Sequence, residues 1–224
     1  MWEYKRWKNS HKFNQYDYNL IDDIYNNIKQ NSRIIFIVRH AERWPDWWQE
    51  WWLNKNWIRQ AKALWKRLSW WILWNTDFDF YWSSIYKRAP ETSYYVWYGR
   101  KHKPFLKDTK LFKKSRINYE KILNSIDVID PFYLENKIEL EERSINMANE
   151  LCKLTEWHNF CFITSHDTLL IPLIWWVTEW NIKFTRETWI NYLSWVAIIV
   201  NNTRKEREIY PVHTLKKKSM ILLD

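Results

Sequence analysis

Three short apolar runs limit what this chain can fold into: Ile34 to Val38, Phe160 to Thr164 and Leu193 to Val200. Each is strand-length, and the first two carry almost no polar residue. A strand solvated on one face would alternate apolar with polar, so unbroken runs mark strands buried on both faces. Between them lie helical patterns. Ile58 to Leu68 carries Ile58, Ala61, Leu64, Trp65 and Leu68, and Glu139 to Leu154 carries Leu140, Ile145, Met147, Ala148, Leu151 and Leu154 among charges. Further helices are expected at Tyr18 to Ile28, at Tyr86 to Tyr98 with Pro90 near its first turn, and at Thr168 to Val177. Phe78 to Trp82 reads as one more strand, Lys101 to Pro131 as basic and irregular, and Ile209 to Leu223 as a segment that pairs or trails at a sheet edge. Strands alternating with helices predict an α/β fold, a three-layer α/β/α sandwich around a mainly parallel sheet. At 224 residues, one domain spanning 1–224 suffices.

Composition narrows the class. The chain is 46% hydrophobic and 27% charged, in the ordinary globular range, and no apolar run approaches the roughly 20 residues of a membrane-spanning helix. The aromatic, basic N-terminus shows no apolar signal core, so a cytoplasmic location is expected, with no membrane partner. The net charge of +9 is scattered, with Lys216-Lys217-Lys218 the one triple run, which favours a solvated surface that attracts anionic substrates over a nucleic-acid partner. Cys152 and Cys161 lack metal-ligand or CxxC spacing and read as buried thiols.

One Gly stands against 20 Trp, where average usage of about 7% Gly would give roughly 16. The pairs Trp47-Trp48, Trp51-Trp52 and Trp70-Trp71 lie beside Asp, Asn, Ser and Pro, in segments that would read as loops with Gly in their place. Tryptophan serves none of glycine's backbone uses. The expectation is a gene whose UGA codons mean glycine in its own lineage and are read here as tryptophan. The alternative is a genuine aromatic surface for membrane, sugar or base stacking.

In open α/β sheets, ligands gather where strands end at their carboxyl side, because the loops leaving those ends form a crevice. Three such exits carry reactive side chains. The first strand runs into Arg39-His40, the Cys161 strand into Ser165-His166-Asp167, and the Phe78 strand into Ser83-Ser84, with Arg88 one turn further. Arg39-His40-Ala41-Glu42-Arg43-Trp44-Pro45 resembles the RHGxRxP signature of the acid-phosphatase branch of the histidine phosphatase superfamily, and His166-Asp167 resembles that branch's HD motif. Leu53 to Leu64, with Trp57, Gln60 and Ala61, is similar to the LTxxGxxQAxxLG stretch, with Trp57 and Trp65 at its two glycine positions. Ser83-Ser84 through Arg88 to Glu91-Thr92 is similar to SSxxxRxxET. The likeness spans residues 34–177. It departs at Ala41, where the family has Gly, and at the loop tryptophans.

This resemblance implies a phosphoglycerate mutase-like fold and a phosphomonoester hydrolase needing neither cofactor nor metal, acting on a small phosphorylated substrate. His40 would be the nucleophile that forms phosphohistidine, its pKa lowered by neighbouring guanidinium groups. Arg39, Arg43, Arg88 and His166 would bind phosphoryl oxygens. Asp167 would protonate the leaving alcohol and then activate water. The relatives of the phosphoglycerate mutase branch place an acidic donor after the ETA-like stretch, but here Leu111 is followed by Phe112-Lys113-Lys114, which leaves the task to Asp167.

Plainer readings stand beside these. Asp167 could cap the helix that follows it, Arg39, Arg43 and above all Arg88 could be surface ion pairs, and Glu42 and Glu91 are expected to pair with arginines. His11, His102, His158 and His213 are expected in surface or packing roles. A phosphomutase on the same fold, or a non-catalytic phospho-ligand binder with genuine tryptophans in the pocket, are the rival functions. Residues 100–136 would form the insert that sets substrate specificity.

Overall fold

A computed structural model of the chain describes residues 3–5, 32–41, 58–59, 61–62, 64, 80–84, 88–96, 103–104, 128–129, 136–177, 184–185, 193, 195–201 and 206–212. Its strands are β1 (Glu3–Lys5), β2 (Ser32–Arg39), β3 (Phe80–Ser83), β4 (Lys103–Pro104), β5 (Val128–Ile129), β6 (Phe160–Ser165), β7 (Phe184–Thr185), β8 (Trp195–Asn201) and β9 (Glu206–Val212). Its helices are α1 (Arg88–Val96), α2 (Lys137–Leu154) and α3 (Asp167–Val177).

Seven strands form the main sheet in the order β1-β9-β8-β2-β6-β3-β4. The pairs β1–β9, β2–β6, β6–β3 and β3–β4 are parallel, whereas β2–β8 and β8–β9 are antiparallel. The sheet is therefore mainly parallel, with β8 running against its neighbours. The centre, β2 with β6 and β8, holds the unbroken apolar runs, and nearly all of its residues are buried, as enclosure on both faces requires.

Register tells which residues share a face. Ile35 sits opposite Cys161 and Ile198, and Ile37 opposite Ile163 and Val196, so these side chains line one face. That face packs with Leu140, Met147, Ala148, Leu151 and Cys152 of α2 and with Leu169 to Trp176 of α3 in one core. α1 takes the other face, where Ser93 hydrogen bonds Thr164 of β6 at 2.6 Å. Three layers result.

Each helix has a local cause. Asn136, with extended backbone, accepts from the Ile138 N–H at 2.9 Å and caps α2, a contact worth about 1 kcal/mol. Glu139 in the first turn and Lys153 in the last complement the helix dipole. α3 is apolar on all sides because it is enclosed between the sheet and α2; its described side chains from Leu169 to Trp176 are all buried. It accommodates Pro172 in its interior, and the Ser144 hydroxyl of α2 donates to Pro172 O at 3.1 Å.

Expectation and structure differ at the sheet's far side. The late segment forms β9 at Glu206–Val212, and it is one strand in from the edge because β1 pairs alongside it. A three-residue strand within a polar N-terminal stretch carries too little apolar pattern to be foreseen. Short strands β4 and β5 likewise lie inside the stretch expected to be irregular. Ile58, Arg59, Ala61, Lys62 and Leu64 are helical, with Ala61 and Leu64 buried. The helix expected at Tyr18 to Ile28 lies outside the described residues, as do residues 213–223. Among the described residues, no helix is long and apolar enough to cross a membrane.

Cys152 and Cys161 form no disulfide and are buried, as expected. The described tryptophans are Trp82, Trp157, Trp175, Trp176 and Trp195. None has positive φ; among the described residues only Leu193 does, at 63°. Trp175, Trp176 and Trp195 are buried, and Trp195 packs against Phe36 with centroids 5.0 Å apart and the rings tilted by 58°, while Trp157 after α2 is 88% exposed. The paired tryptophans at 47–48, 51–52 and 70–71 lie outside the described residues.

Candidate active site

Parallel register brings three strand exits together. Arg39 of β2 pairs with Ser165 of β6, and Ser83 of β3 pairs with Thr164. One residue further, the ladder continues: the His40 N–H donates to Ser165 O at 2.8 Å and the Ser84 N–H to Thr164 O at 2.9 Å. His40, Ser84 and His166 therefore leave adjacent strands side by side. Antiparallel β8 meets the same rim through Leu193, whose N–H donates to Arg39 O at 3.1 Å from a left-handed backbone conformation costly for a leucine.

The two imidazoles face each other at a centroid distance of 4.9 Å and an angle of 65°. Their partners fix both tautomers. His40 Nδ1 lies 2.7 Å from Ala41 O, and a carbonyl only accepts, so Nδ1 carries the proton. Arg88 Nε donates to His40 Nε2 at 2.9 Å, which requires a lone pair there. On the other ring, Arg88 Nη2 reaches His166 Nδ1 at 3.4 Å, and His166 Nε2 lies 2.8 Å from Ser84 Oγ. A guanidinium only donates, so His166 Nδ1 accepts and its Nε2–H donates to Ser84. One guanidinium thus spans the lone pairs of both rings.

Arg88 gets there because it is the first residue of α1, and that helix is tied to the His40 loop. Thr92, one turn on, donates to Arg88 O at 2.7 Å and accepts from the Ala41 N–H at 3.0 Å. Arg88 is half-buried and bonded to both imidazoles. Across the sheet, buried Arg39 donates from Nη2 to Asp167 Oδ2 at 3.0 Å. Arg39 points to the face that α3 covers, and Asp167 is the first residue of α3. The capping reading of Asp167 is corrected here: Leu169 and Leu170 donate to His166 O, so the position before the helix belongs to His166, and the Asp167 carboxylate turns to Arg39.

Electrostatics keep both rings neutral. Burial pushes the His40 pKa well below its ordinary 6.5, with His166, Arg88 and Arg39 adding in that order and the Ala41 carbonyl opposing. His166 is pushed down to about 3, first by burial and then by Arg88 and Arg39. The guanidinium groups act in the expected direction, but desolvation is the larger cause. His40 therefore holds a neutral ring with Nε2 as its basic nitrogen, the protonation state a nucleophile needs.

Of the residues singled out from sequence, Arg39, His40, Arg88, His166 and Asp167 converge on this rim. Arg43 and Glu42 lie outside the described residues; Glu91 sits in the first turn of α1. Sequence reasoning assigned no role to Ser84, Thr92 or the Ala41 carbonyl, although Ser84 and Thr92 belong to a recognised stretch. Among the described residues, no group of His, Cys, Asp and Glu could hold a metal ion.

No protein-family model matches the chain, and no curated protein matches it. Solved structures do. A mycobacterial glucosyl-3-phosphoglycerate phosphatase is similar with a TM-score of 0.50 and 12% identity over 82% of this chain and 100% of that one. The same phosphatase with VO3 gives 0.50 and 14% over 83% and 100%. A putative alpha-ribazole-5'-P phosphatase from Escherichia coli gives 0.47 and 18% over 83% and 98%. At such low identity the likeness is one of architecture, and this chain has the phosphoglycerate mutase-like α/β fold.

Proposed function

We propose that the protein is a phosphomonoester hydrolase of the histidine phosphatase type, acting through a phosphohistidine on His40. The observation that carries this reading is the pair of imidazoles 4.9 Å apart, with the Nε2 lone pair of His40 turned into the space that Arg88 spans. A nucleophilic imidazole, a second imidazole and a guanidinium that spans them, with Arg39 close by on Asp167, suit a tetrahedral dianion better than any neutral ligand.

A phosphoryl group entering the gap takes over the Arg88 donors and frees His40 Nε2. That lone pair forms the N–P bond while the ester P–O bond breaks, its electron pair leaving on the alcohol oxygen, which takes the proton that Asp167 carries as a carboxylic acid once Arg39 has turned from it to the phosphoryl oxygens. Water then attacks phosphorus, the N–P electron pair returns to Nε2, and the water proton passes to Asp167. The Nδ1–H bond to Ala41 O holds the ring in the required tautomer throughout. Arg39, Arg43, Arg88 and His166 bind the phosphoryl oxygens. The His166-Asp167 pair, and Phe112-Lys113-Lys114 rather than an acid directly after Leu111, favour the acid-phosphatase branch. We further propose one domain spanning 1–224, with residues 100–136 setting specificity for a small phosphorylated substrate.

The test is phosphate release from an aryl phosphate by wild type and His40→Ala. Release is expected to disappear in the variant; equal rates would end the assignment.

A further inference from the structure

The hydrogen bonds around His40 close into a ring, and each runs in a fixed direction. Arg88 Nε–H donates to His40 Nε2 at 2.9 Å, and His40 Nδ1–H donates to Ala41 O at 2.7 Å. The Ala41 N–H donates to Thr92 Oγ1 at 3.0 Å, and the Thr92 hydroxyl donates to Arg88 O at 2.7 Å. A guanidinium and a backbone N–H only donate and a carbonyl only accepts, so none of the four bonds can reverse. The ring joins a strand exit to a helix. Ala41 lies past the end of β2, whereas Arg88 and Thr92 are one turn apart in α1. Ala41 and Thr92 are both fully enclosed.

We infer that Thr92 is a positioning residue that pins Ala41, so that His40 keeps its proton on Nδ1 when a phosphoryl group displaces Arg88. This rests on the phosphohydrolase reading above. Before substrate arrives, Arg88 at Nε2 and the Ala41 carbonyl at Nδ1 hold the tautomer from both sides. A phosphoryl group that takes over the Arg88 donors removes the first hold. Its oxygens are acceptors, and beside Nε2 they favour the other tautomer, in which Nε2–H donates to an oxygen and no lone pair faces phosphorus. Such a complex binds the anion but cannot form the N–P bond. Opposing it is the Ala41 carbonyl, provided that the carbonyl does not turn. The His40 N–H is tied to Ser165 O of β6 and the Ala41 N–H to Thr92 of α1, which leaves the backbone leading to that carbonyl little freedom. Without the hydroxyl, the enclosed Ala41 N–H would lose its acceptor and the segment would shift to find another. The same hydroxyl anchors Arg88 O, so the guanidinium can move to the anion while the first turn of α1 stays in place.

Thr92→Val removes the hydroxyl at nearly constant shape, and Thr92→Ser keeps it. With an aryl phosphate, Thr92→Val is expected to lower kcat about ten- to hundredfold, as losing the partner that orients a working histidine does. KM is expected to fall with kcat, because the anion is held in a form that cannot react. Thr92→Ser is expected to recover most of kcat. Nitrogen-15 spectra in saturating sulfate, a tetrahedral dianion that does not titrate near neutrality, read the tautomer directly, with the His40 signals assigned through His40→Asn. Wild type and Thr92→Ser are expected to keep a protonated Nδ1 and a bare Nε2, and Thr92→Val to move the proton toward Nε2. The wild-type spectrum stands as a test even if Thr92→Val does not fold. His40 protonated at Nε2 in the wild-type sulfate complex would overturn the inference alone. So would Thr92→Val with wild-type kcat or with a raised KM, or Thr92→Ser losing as much kcat as Thr92→Val. Equal phosphate release by wild type and His40→Ala would instead overturn the function, and this role for Thr92 with it.

Discussion

The two ends of the central sheet each enclose arginines, wholly or in part, and they hold them differently. At the carboxyl end of β2, Arg39 and Arg88 are held by side chains: the Asp167 carboxylate and the lone pairs of His40 and His166. At the opposite end, Arg33 and Arg207 flank Val200 in one cross-strand row. Arg33 Nη2 donates to the backbone carbonyl of Cys152 at 2.8 Å, and Arg207 Nη1 donates to Asn149. The difference lies in the acceptors. Imidazoles and a carboxylate can change protonation and release a guanidinium to an incoming anion, whereas a helix carbonyl and an amide can do neither. Buried arginine is thus no sign of function in itself; what it is bonded to decides.

The largest effect is expected from Arg88→Ala. Losing the guanidinium that spans both imidazoles removes a preorganised donor to phosphoryl oxygen, which should lower kcat/KM about a hundred- to thousandfold in phosphate-release kinetics. A loss under tenfold would mean that Arg88 orders the empty site without acting on substrate. That outcome would erase the contrast between the two ends.

Protonation should separate the ends next. His166 is held at about 3 in the folded chain against an ordinary 6.5, and His40 is depressed as well. The unfolded chain therefore binds these protons first as pH falls, so stability drops from about pH 6.5 toward 3, by up to about 1.4 kcal/mol per pH unit for each ring. The far end acts on the opposite limb. Burial pushes the Cys152 thiol above its ordinary 9.0, against the pull of Arg207 and Arg33, so stability falls as pH rises through that value and the unfolded thiol ionises. Denaturant melts across pH should show His166→Gln flattening the acid limb and Cys152→Ala flattening the alkaline one. Either variant acting on the other limb would break the assignment.

How much of this was legible in the sequence follows the same division. The unbroken runs of β2 and β6 announced strands buried on both faces, and parallel pairing then obliged Arg39-His40 and Ser165-His166-Asp167 to emerge together. The helical patterns that became α1, α2 and α3 were visible for the same reason of spacing. What stayed hidden depends on contacts between distant residues. Nothing in the Ser83-Ser84 dipeptide says that its second hydroxyl meets an imidazole 82 positions later. Arg33 reads as a polar residue ahead of an apolar run, and only the packing of the Cys152 helix end over it makes it buried. β1 escaped because three residues hold too little pattern. The tryptophan surplus remains a reading of the gene: natively produced protein is expected to be lighter than 28.3 kDa, and a mass equal to that value would establish the tryptophans as genuine.

The smallest effect, and the sharpest test of the comparison, is expected from Arg33→Met. Burial lowers the Arg33 pKa; the Cys152 and Cys161 thiols oppose that shift and Arg207 reinforces it, so this guanidinium is a charge enclosed at a cost. Its Nε and Nη1 are buried without a hydrogen-bond partner. Methionine takes the shorter of two hydrogen bonds from the Cys152 carbonyl and leaves it the Thr155 hydroxyl at 3.4 Å, a loss of about 1 kcal/mol, but it removes a larger desolvation cost and the repulsion from Arg207. The unfolding midpoint should therefore rise by about 2–4 °C, with kcat/KM within about twofold of wild type. A lower midpoint would mean that the carbonyl contact outweighs the buried charge. A tenfold fall in kcat/KM would mean that the far end reaches the site through β2, since Arg33 and Arg39 lie on one strand and one face. In a sheet whose register sets the positions of both ends, intact catalysis beside altered stability is the outcome that separates architecture from chemistry.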